Sequence, residues 1–191
     1  MSSPDSPYPQ ARARQPYLHS IATTPSSSSL TYTIRLALPQ DALTISTLIG
    51  TIWAHFFAYS EVDDNGAKNY FLLACFPKDK DESGEGEEKV LGVVPLVRES
   101  TEPCLTLPKP VELQRLYVHS SQHGTGLAKE LVKTAEAQAR ELGGKNIWLG
   151  VWEDNGRGKS FYEKMGFKPV GEHWFWVSRS KRHDWIMQKP F

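Results

Sequence analysis

The chain has 191 residues, of which 39% are hydrophobic and 23% charged, and its 22 basic residues balance its 22 acidic residues. This length suits one domain with a substantial core, and the zero net charge argues against a nucleic-acid partner or an anionic membrane surface. Two cysteines, Cys75 and Cys104, fit neither a zinc pattern nor a disulfide framework, so we expect no metal site. No apolar run is long enough to cross a membrane and no secretory signal is present, so we expect a soluble, cytoplasmic protein.

The N-terminal third contains a tail and the first predicted elements. Residues 1–29 are rich in serine and proline and bury too little apolar surface to offset their ordering entropy, so we predict a disordered tail followed by one domain over residues 30–191. Loose alternation of β-formers predicts a strand over residues 30–37. Helical spacing of apolar residues follows over 43–53, and a second helical stretch is predicted near 68–76.

The middle of the chain contains a loop and two predicted strands. Residues 78–89 are almost wholly charged or glycine, which is typical of a solvated loop. Residues 90–97 are apolar throughout, which predicts a buried strand. A further strand is predicted over 111–118.

The C-terminal half alternates helices and strands. A helix over 124–142 has its apolar residues on one face. It is followed by a strand over 146–152, a short helix over 156–165, and strands around 167–177 and 184–188. A strand–helix–strand order of this kind implies a parallel pair with a crossover, so the expected fold class is α/β (α+β) with a mixed sheet.

A turn with two glycines, residues 121–128 (SQHGTGLA), joins the strand over 111–118 to the long helix. Glycines let the backbone approach a ligand closely, and the helix that follows begins with free N–H groups and the positive end of its dipole. These features favour a phosphate site, although a tight turn with glycines for geometry alone explains them equally well. A dinucleotide fingerprint would need glycine at Lys129, and a P-loop ending at Ser160 would need glycine at Glu153.

Three blocks of sequence decide between these interpretations. Residues 112–118 (ELQRLYV) with the glycine turn, 148–155 (WLGVWEDN) and 160–167 (SFYEKMGF) together resemble motifs A and B of the GNAT superfamily of N-acetyltransferases. They are most similar to the branch that contains the bacterial spermidine/spermine (polyamine) acetyltransferases. The resemblance implies a centrally splayed mixed sheet flanked by helices in a single domain, acetyl-CoA as cofactor, and acetyl transfer to a primary amine.

The resemblance also implies which residues hold the cofactor. The backbone of residues 116–118 would pair with the pantetheine arm, and the N–H groups of residues 122–128 would take the pyrophosphate. Asn155 would hydrogen-bond the pantetheine or cap the short helix. The implied cofactor-binding residues are Leu116, Tyr117, Val118, Gln122, His123, Gly124, Thr125, Gly126, Leu127, Ala128, Asn155 and Tyr162. Departures from the family pattern at Ser121, His123 and Ala128 affect side-chain contacts to the pyrophosphate and leave the backbone cradle intact.

Acetyl transfer also needs an acid and a base. Tyr162 is implied as the acid that protonates the thiolate, with a core aromatic as the alternative. An amine with a lysine-like pKa is neutral in only about one molecule in 2,500 at pH 7, so a base is needed. Glu112 is the candidate, acting directly or through water, with a solvated carboxylate at a strand end as the alternative. Gln114 shares its strand parity and is a candidate for substrate binding.

The acceptor site is predicted from an aromatic and acidic run. Phe56, Tyr59 and Glu61 are candidates for substrate binding because aromatic faces and carboxylates favour a cationic amine; a solvated amphipathic helix is the alternative. The leading hypothesis is direct attack in a ternary complex by a small-molecule amine, such as a polyamine or an amine-bearing metabolite or drug. Acetylation of protein lysines or N-termini, and a CoA-binding module without turnover, are the alternatives. We expect no nucleic-acid or membrane partner, and the resemblance leaves a homodimer open.

Overall fold

The computed structural model describes residues 19–21, 32–37, 41, 43–45, 69–75 and 89–191. This part of the chain forms nine strands and two complete α-helices, and residues 43–45 are also helical. The strands are β1 (His19–Ile21), β2 (Tyr32–Leu36), β3 (Asn69–Cys75), β4 (Val90–Arg98), β5 (Pro110–Leu113), β6 (Tyr117–Val118), β7 (Asn146–Trp152), β8 (Lys168–Val177) and β9 (Ser180–Pro190), and the helices are α1 (Leu127–Glu141) and α2 (Gly156–Lys164). Neither helix is long and apolar enough to span a membrane, and the other described residues contain no such helix.

All nine strands belong to one mixed sheet in the order β1-β2-β3-β4-β5-β7-β9-β8, with β6 paired to β4. Among the described strands, β5 and β7 are the parallel pair, and α1 provides the crossover between them. The predicted mixed, single-domain α/β fold is therefore confirmed. The hairpin of β8 and β9 is longer than predicted, because β9 begins at Ser180.

The helix predicted near residues 68–76 is wrong. This segment is strand β3, which pairs antiparallel with β2 and β4. Its residues Leu72 to Cys75 are all buried, since the strand lies inside the sheet and both of its faces are covered. An apolar run that is buried on both faces has no period, so a strand of this kind cannot be distinguished from a buried helix in the sequence.

The strand predicted over 111–118 divides into β5 and β6. On β4, three steps separate the partners of Leu113 and Tyr117, whereas four separate Leu113 from Tyr117 themselves, so one residue bulges out. At this bulge Gln114 N donates a hydrogen bond to Pro95 O (3.0 Å). Pairing between β5 and β7 ends at Glu112, and β6 pairs with β4 alone. The sheet therefore splays between β6 and the second half of β7, as the family resemblance implied.

Helix α1 packs on the sheet and supports the glycine turn at its N-terminus. The helix begins at Leu127, three residues later than predicted, and buries its apolar face against β4, β6 and β7. Its buried apolar residues are Leu127, Leu131, Val132, Ala135 and Ala139. Gly143, with φ +82°, follows the helix as predicted, and Gly144 N donates to Ala139 O. Because α1 is buried along its length, its N-terminus is held rigidly at the edge of the splay.

Several predictions for the N-terminal part fall largely outside the described residues. Of the predicted tail 1–29, the structure describes 19–21, which form β1 and pair with β2. Of the predicted helix over 43–53, residues 43–45 are described and are helical. The loop predicted over 78–89 lies outside the described residues except for Lys89.

Candidate active site

A cavity of about 690 Å³ occupies the splay between β6 and β7. Five elements contribute to its wall: the bulge after β5, β6, β7, helix α2 and the β8–β9 hairpin. The lining residues are Leu113, Gln114, Arg115, Leu116, Tyr117, Gly150, Val151, Trp152, Asn155, Tyr162, Phe175, Arg182 and Asp184. Strand β6, whose residue Tyr117 lines this cavity, is followed in the chain by the glycine turn.

The first part of the glycine turn is fixed by its own hydrogen bonds. Residues Ser120–Gln122 form a 3₁₀ turn, which His119 caps by accepting from Ser121 N at Nδ1 (3.2 Å). The Thr125 hydroxyl donates to Gln122 O (2.8 Å). Backbone N–H groups of Gln122, His123 and Thr125 donate to carbonyls within the turn. Of the predicted pyrophosphate donors, these three are therefore already used.

Three other N–H groups of the turn are free. Within the described stretch 89–191, the N–H groups of Gly124, Gly126 and Ala128 have no intramolecular acceptor. Gly124 and Gly126 adopt φ values of +82° and +92°, which favour glycine, and a Cβ on either residue would meet nothing within 4 Å. Gly126 is the N-cap residue of α1 and has no side chain to cap it. Free donors, open space and the positive end of the α1 dipole make this turn an anion-binding cradle.

The side chains of His123 and Gln122 stabilise the turn. His123 Nε2 lies 3.1 Å from Val118 O, so its ring bridges the end of β6 and the turn. Gln122 is buried, and its amide contacts Ser121 Oγ at 3.4 Å. The contact of His123 therefore ties the turn to the end of β6.

Tyr162 faces the cavity from α2. Its ring packs edge-on against Phe161 and Phe167, with centroids 5.2 and 5.7 Å away. Burial raises the pKa of Tyr162 to about 12, although the positive charge of Arg115 opposes this shift. The phenol therefore keeps its proton at neutral pH, as a proton donor must.

Asn155 is the N-cap residue of α2 and also lines the cavity. Its Oδ1 accepts a hydrogen bond from Gly158 N (2.8 Å), so the structure shows the capping role that the sequence left open. A Cβ on Gly158 would lie 2.6 Å from Asn155 Nδ2, so glycine is needed there for the cap. The Nδ2 amide of Asn155 can still donate to a ligand in the cavity.

Glu112 and Gln114 occupy different places despite their shared parity. Gln114 lines the cavity, whereas Glu112 lies on β5 between β4 and β7 and does not contribute to the lining. Burial raises the pKa of Glu112, and a hydrogen bond from Ser100 and the charge of Arg115 oppose that shift. Glu112 is therefore a partly desolvated carboxylate one strand position away from the cavity wall.

Asp184 is a site residue that the sequence analysis missed. It lines the cavity from β9, where it pairs with Trp152 of β7 and its carboxylate lies beside Gly150. Burial raises its pKa, and electrostatic interactions with Arg115, His173 and His183 oppose the shift. The sequence signal was present but weak: Asp184 stood at the predicted start of the last strand, which is an ordinary place for a solvated carboxylate.

The remaining predicted substrate residues, Phe56, Tyr59 and Glu61, lie outside the described residues. Among the described residues, no group of three or more His, Cys, Asp or Glu side chains is arranged to hold a metal ion. Tyr162 and Asp184 line the cavity and Glu112 lies near it on β5, so these three are the acid and base candidates among the described residues.

Comparison with known proteins adds a family match. The profile of the "Acetyltransferase (GNAT) family" matches residues 50–167. An uncharacterized N-acetyltransferase of Lactobacillus delbrueckii subsp. lactis is 35% identical over 82 residues, which are 43% of this chain and 47% of that protein. The chain thus spans about half the length of the curated relatives it matches.

Two solved structures illustrate the likeness in fold. Arabidopsis thaliana NAA60 in complex with acetyl-CoA aligns with a TM-score of 0.65 at 17% identity, over 84% of this chain and 98% of that one. Mutant forms of the spermidine/spermine N-acetyltransferase SpeG from Vibrio cholerae align with a TM-score of 0.58 at 17% identity, over 83% of this chain and 94% of that one. At these identities the likeness shows the fold.

Proposed function

The chain belongs to the acetyltransferase (GNAT) family, and from that premise we propose that it transfers the acetyl group of acetyl-CoA to a primary amine of a small molecule. The observation that carries the proposal is that the anion-binding cradle follows in the chain strand β6, which lines a cavity together with Tyr162 and Asp184. A cofactor with a pyrophosphate at one end and a reactive thioester at the other fits a site of this shape.

The cofactor residues follow from the free backbone groups. The N–H groups of Gly124, Gly126 and Ala128 would hold the pyrophosphate, since they lack other acceptors in the described stretch 89–191. The backbone of residues 116–118 would pair with the pantetheine arm, because β6 is bonded to β4 on one side and borders the cavity on the other. Asn155 would donate its Nδ2 to the pantetheine. When bound, acetyl-CoA supplies the activated acetyl group.

Protons are moved by residues at the other end of the cavity. Asp184 would accept the proton of the attacking amine, because it lines the cavity and burial has made its carboxylate more basic. Glu112, the base predicted from sequence, does not line the cavity, so it would reach the amine only through a water molecule. As the C–N bond forms and the C–S bond breaks, Tyr162 would donate its proton to the departing thiolate.

Two kinds of acceptor were considered from the sequence, a small-molecule amine and a protein lysine or N-terminus. The structurally similar SpeG is a spermidine/spermine N-acetyltransferase, and the structurally similar NAA60 has been solved with a bisubstrate analogue. We favour a small molecule because Asp184 lies within a cavity that strand β7 and the β8–β9 hairpin wall in. The cytoplasmic location, the homodimer and the lack of nucleic-acid and membrane partners stay predictions.

The proposal is tested in two stages. Calorimetry with CoA measures the cofactor site, and thiol release from acetyl-CoA with a panel of amines measures turnover. We expect CoA binding in the wild type and in Tyr162→Phe, and slower thiol release in Tyr162→Phe alone. Binding without thiol release for any amine would indicate a CoA-binding module without turnover, and no binding of CoA would refute the cofactor site.

A further inference from the structure

The cavity contains charges of both signs. Among its described lining residues, Arg115 and Arg182 are positive and Asp184 is negative. A polyamine would bring several positive charges toward two guanidinium groups, which is unfavourable at close range. An acceptor with one positive and one negative group matches this set of charges better.

Arg115 is a positive group on the β5–β6 side of the cavity wall. It lies at the bulge after β5 and lines the same cavity as Tyr162 and Asp184. Its Nη1 donates to Gln114 O (2.9 Å). A guanidinium has five N–H donors in a planar fork that matches a carboxylate, so Arg115 can hold an anionic group of a ligand as well.

Arg182 is a weaker candidate for the same role. Its Nη1 lies 3.6 Å from Glu153 Oε1 and 3.7 Å from Asp154 Oδ2, and its guanidinium lies 6.0 Å from the centroid of the Trp152 ring. The Arg182 guanidinium therefore lies near two carboxylates that do not line the cavity. Arg115 lines the cavity together with Tyr162 and Asp184.

We infer that the acceptor is an amine that also carries a carboxylate, an amino acid or a small derivative of one, with its amino group at Asp184 and its carboxylate at Arg115. Trp152 and Phe175 line the same cavity and provide an apolar wall for its side chain. The inference rests on the proposed function and narrows its substrate class. Of the two acceptors that the sequence hypothesis named, a polyamine and an amine-bearing metabolite or drug, it selects the second.

The test uses acceptors that differ by the carboxylate. Thiol release from acetyl-CoA is measured with L-phenylalanine against phenethylamine and with L-ornithine against putrescine, using the full chain. Phenylalaninamide, which represents the N-terminus of a polypeptide, is a fifth acceptor. We expect the carboxylate-bearing member of at least one pair to have the higher kcat/KM. We also expect L-phenylalanine to have a higher kcat/KM than phenylalaninamide.

Arg115→Gln should lower the ratio of kcat/KM between the members of that pair by about 10- to 100-fold, which is the effect of losing a hydrogen bond to a charged group. The change in this ratio between wild type and variant is the decisive quantity, because differences in amine pKa, and any effect of the substitution on Tyr162 or Asp184 that both acceptors share, cancel in it. Arg140→Gln is the matched control: Arg140 is exposed in the last turn of α1, over Phe191, and the ratio should not change.

Four results would overturn the inference. They are a preference for the carboxylate-free member of both pairs, a kcat/KM for the amide that equals that for the acid, a ratio that survives Arg115→Gln, and turnover of other amines but of neither amino acid. A chain that does not bind CoA, or that binds CoA and acetylates no amine, would instead refute the proposed function, so the two failures are distinguishable.

Discussion

Gly150 on β7 faces the carboxylate of Asp184 on β9: a Cβ on Gly150 would lie 3.2 Å from Asp184 Oδ2. This distance is tighter than ordinary van der Waals contact, so a side chain at position 150 would displace the carboxylate. Both residues line the cavity. The glycine therefore leaves room for the group that we propose as the base.

Gly150→Ala should accordingly lower kcat/KM by about tenfold, since a displaced carboxylate would raise the activation free energy. An increase of about 1.4 kcal/mol gives that factor. Steady-state kinetics of Gly150→Ala, Asp184→Asn and the double variant measure whether the two residues act together. If Gly150 acts through Asp184, the double variant is no slower than Asp184→Asn. Additive losses would show that Gly150 has a separate role.

The backbone conformation of the cradle gives a second prediction. Gly124 and Gly143 have the same φ, +82°, and open space around an added Cβ, but they lie at opposite ends of α1. Alanine at either position should lower the free energy of unfolding by about 1–2 kcal/mol. Only Gly124→Ala should also raise the Kd for CoA, by about tenfold or more. Equal CoA affinities in the two variants, measured by calorimetry, would contradict the assignment of the cradle.

The raised pKa of Tyr162 predicts a loss of stability at high pH. The folded chain holds this proton up to about pH 12, whereas the unfolded chain releases it near pH 10.0. Stability from Tyr162 is therefore complete below pH 10 and declines as pH rises toward 12, by about 2–3 kcal/mol. Denaturant unfolding of the wild type and Tyr162→Phe should diverge across this range. Parallel profiles would show that the phenol is not buried.

Asp184 predicts an effect of the same sign at lower pH. Its folded pKa is raised above its usual value of 3.8, so the fold favours the protonated form and loses stability as pH rises through the folded pKa. Asp184→Asn should raise the Tm at pH 7 by less than the roughly 2–4 °C that 1 kcal/mol gives in a domain of this size, because solvent screens the half-buried carboxylate. Below pH 3.8 the two proteins should have the same Tm, and a lower Tm for the variant at pH 7 would contradict this account.

Local patterns in the sequence predicted the elements whose periodicity or motif is distinctive. The amphipathic face of α1, the glycine turn and Tyr162 on a short helix all follow from contiguous residues. Strand β3 did not, since a run such as Leu72 to Cys75 that is buried on both faces has no period.

Relationships between distant residues could not be predicted from local patterns. The bulge that separates β5 from β6 depends on pairing with β4. Asp184 and Arg115 are far apart in the chain. They line one cavity because β9 pairs with β7 and the sheet splays beside β7. For this reason the sequence favoured Glu112 as the base, which shares a segment with the motif, over Asp184.

The formation of an N-acetylated product tests the central claim most directly. The purified chain would be incubated with acetyl-CoA and an amine acceptor, with L-phenylalanine first, and the acceptor examined by mass spectrometry. Our account predicts one added acetyl group on the amine, at a rate that Tyr162→Phe and Asp184→Asn both reduce. If CoA binds but no amine in the panel gains an acetyl group, the chain is not an N-acetyltransferase for these acceptors, and its cavity serves binding without transfer.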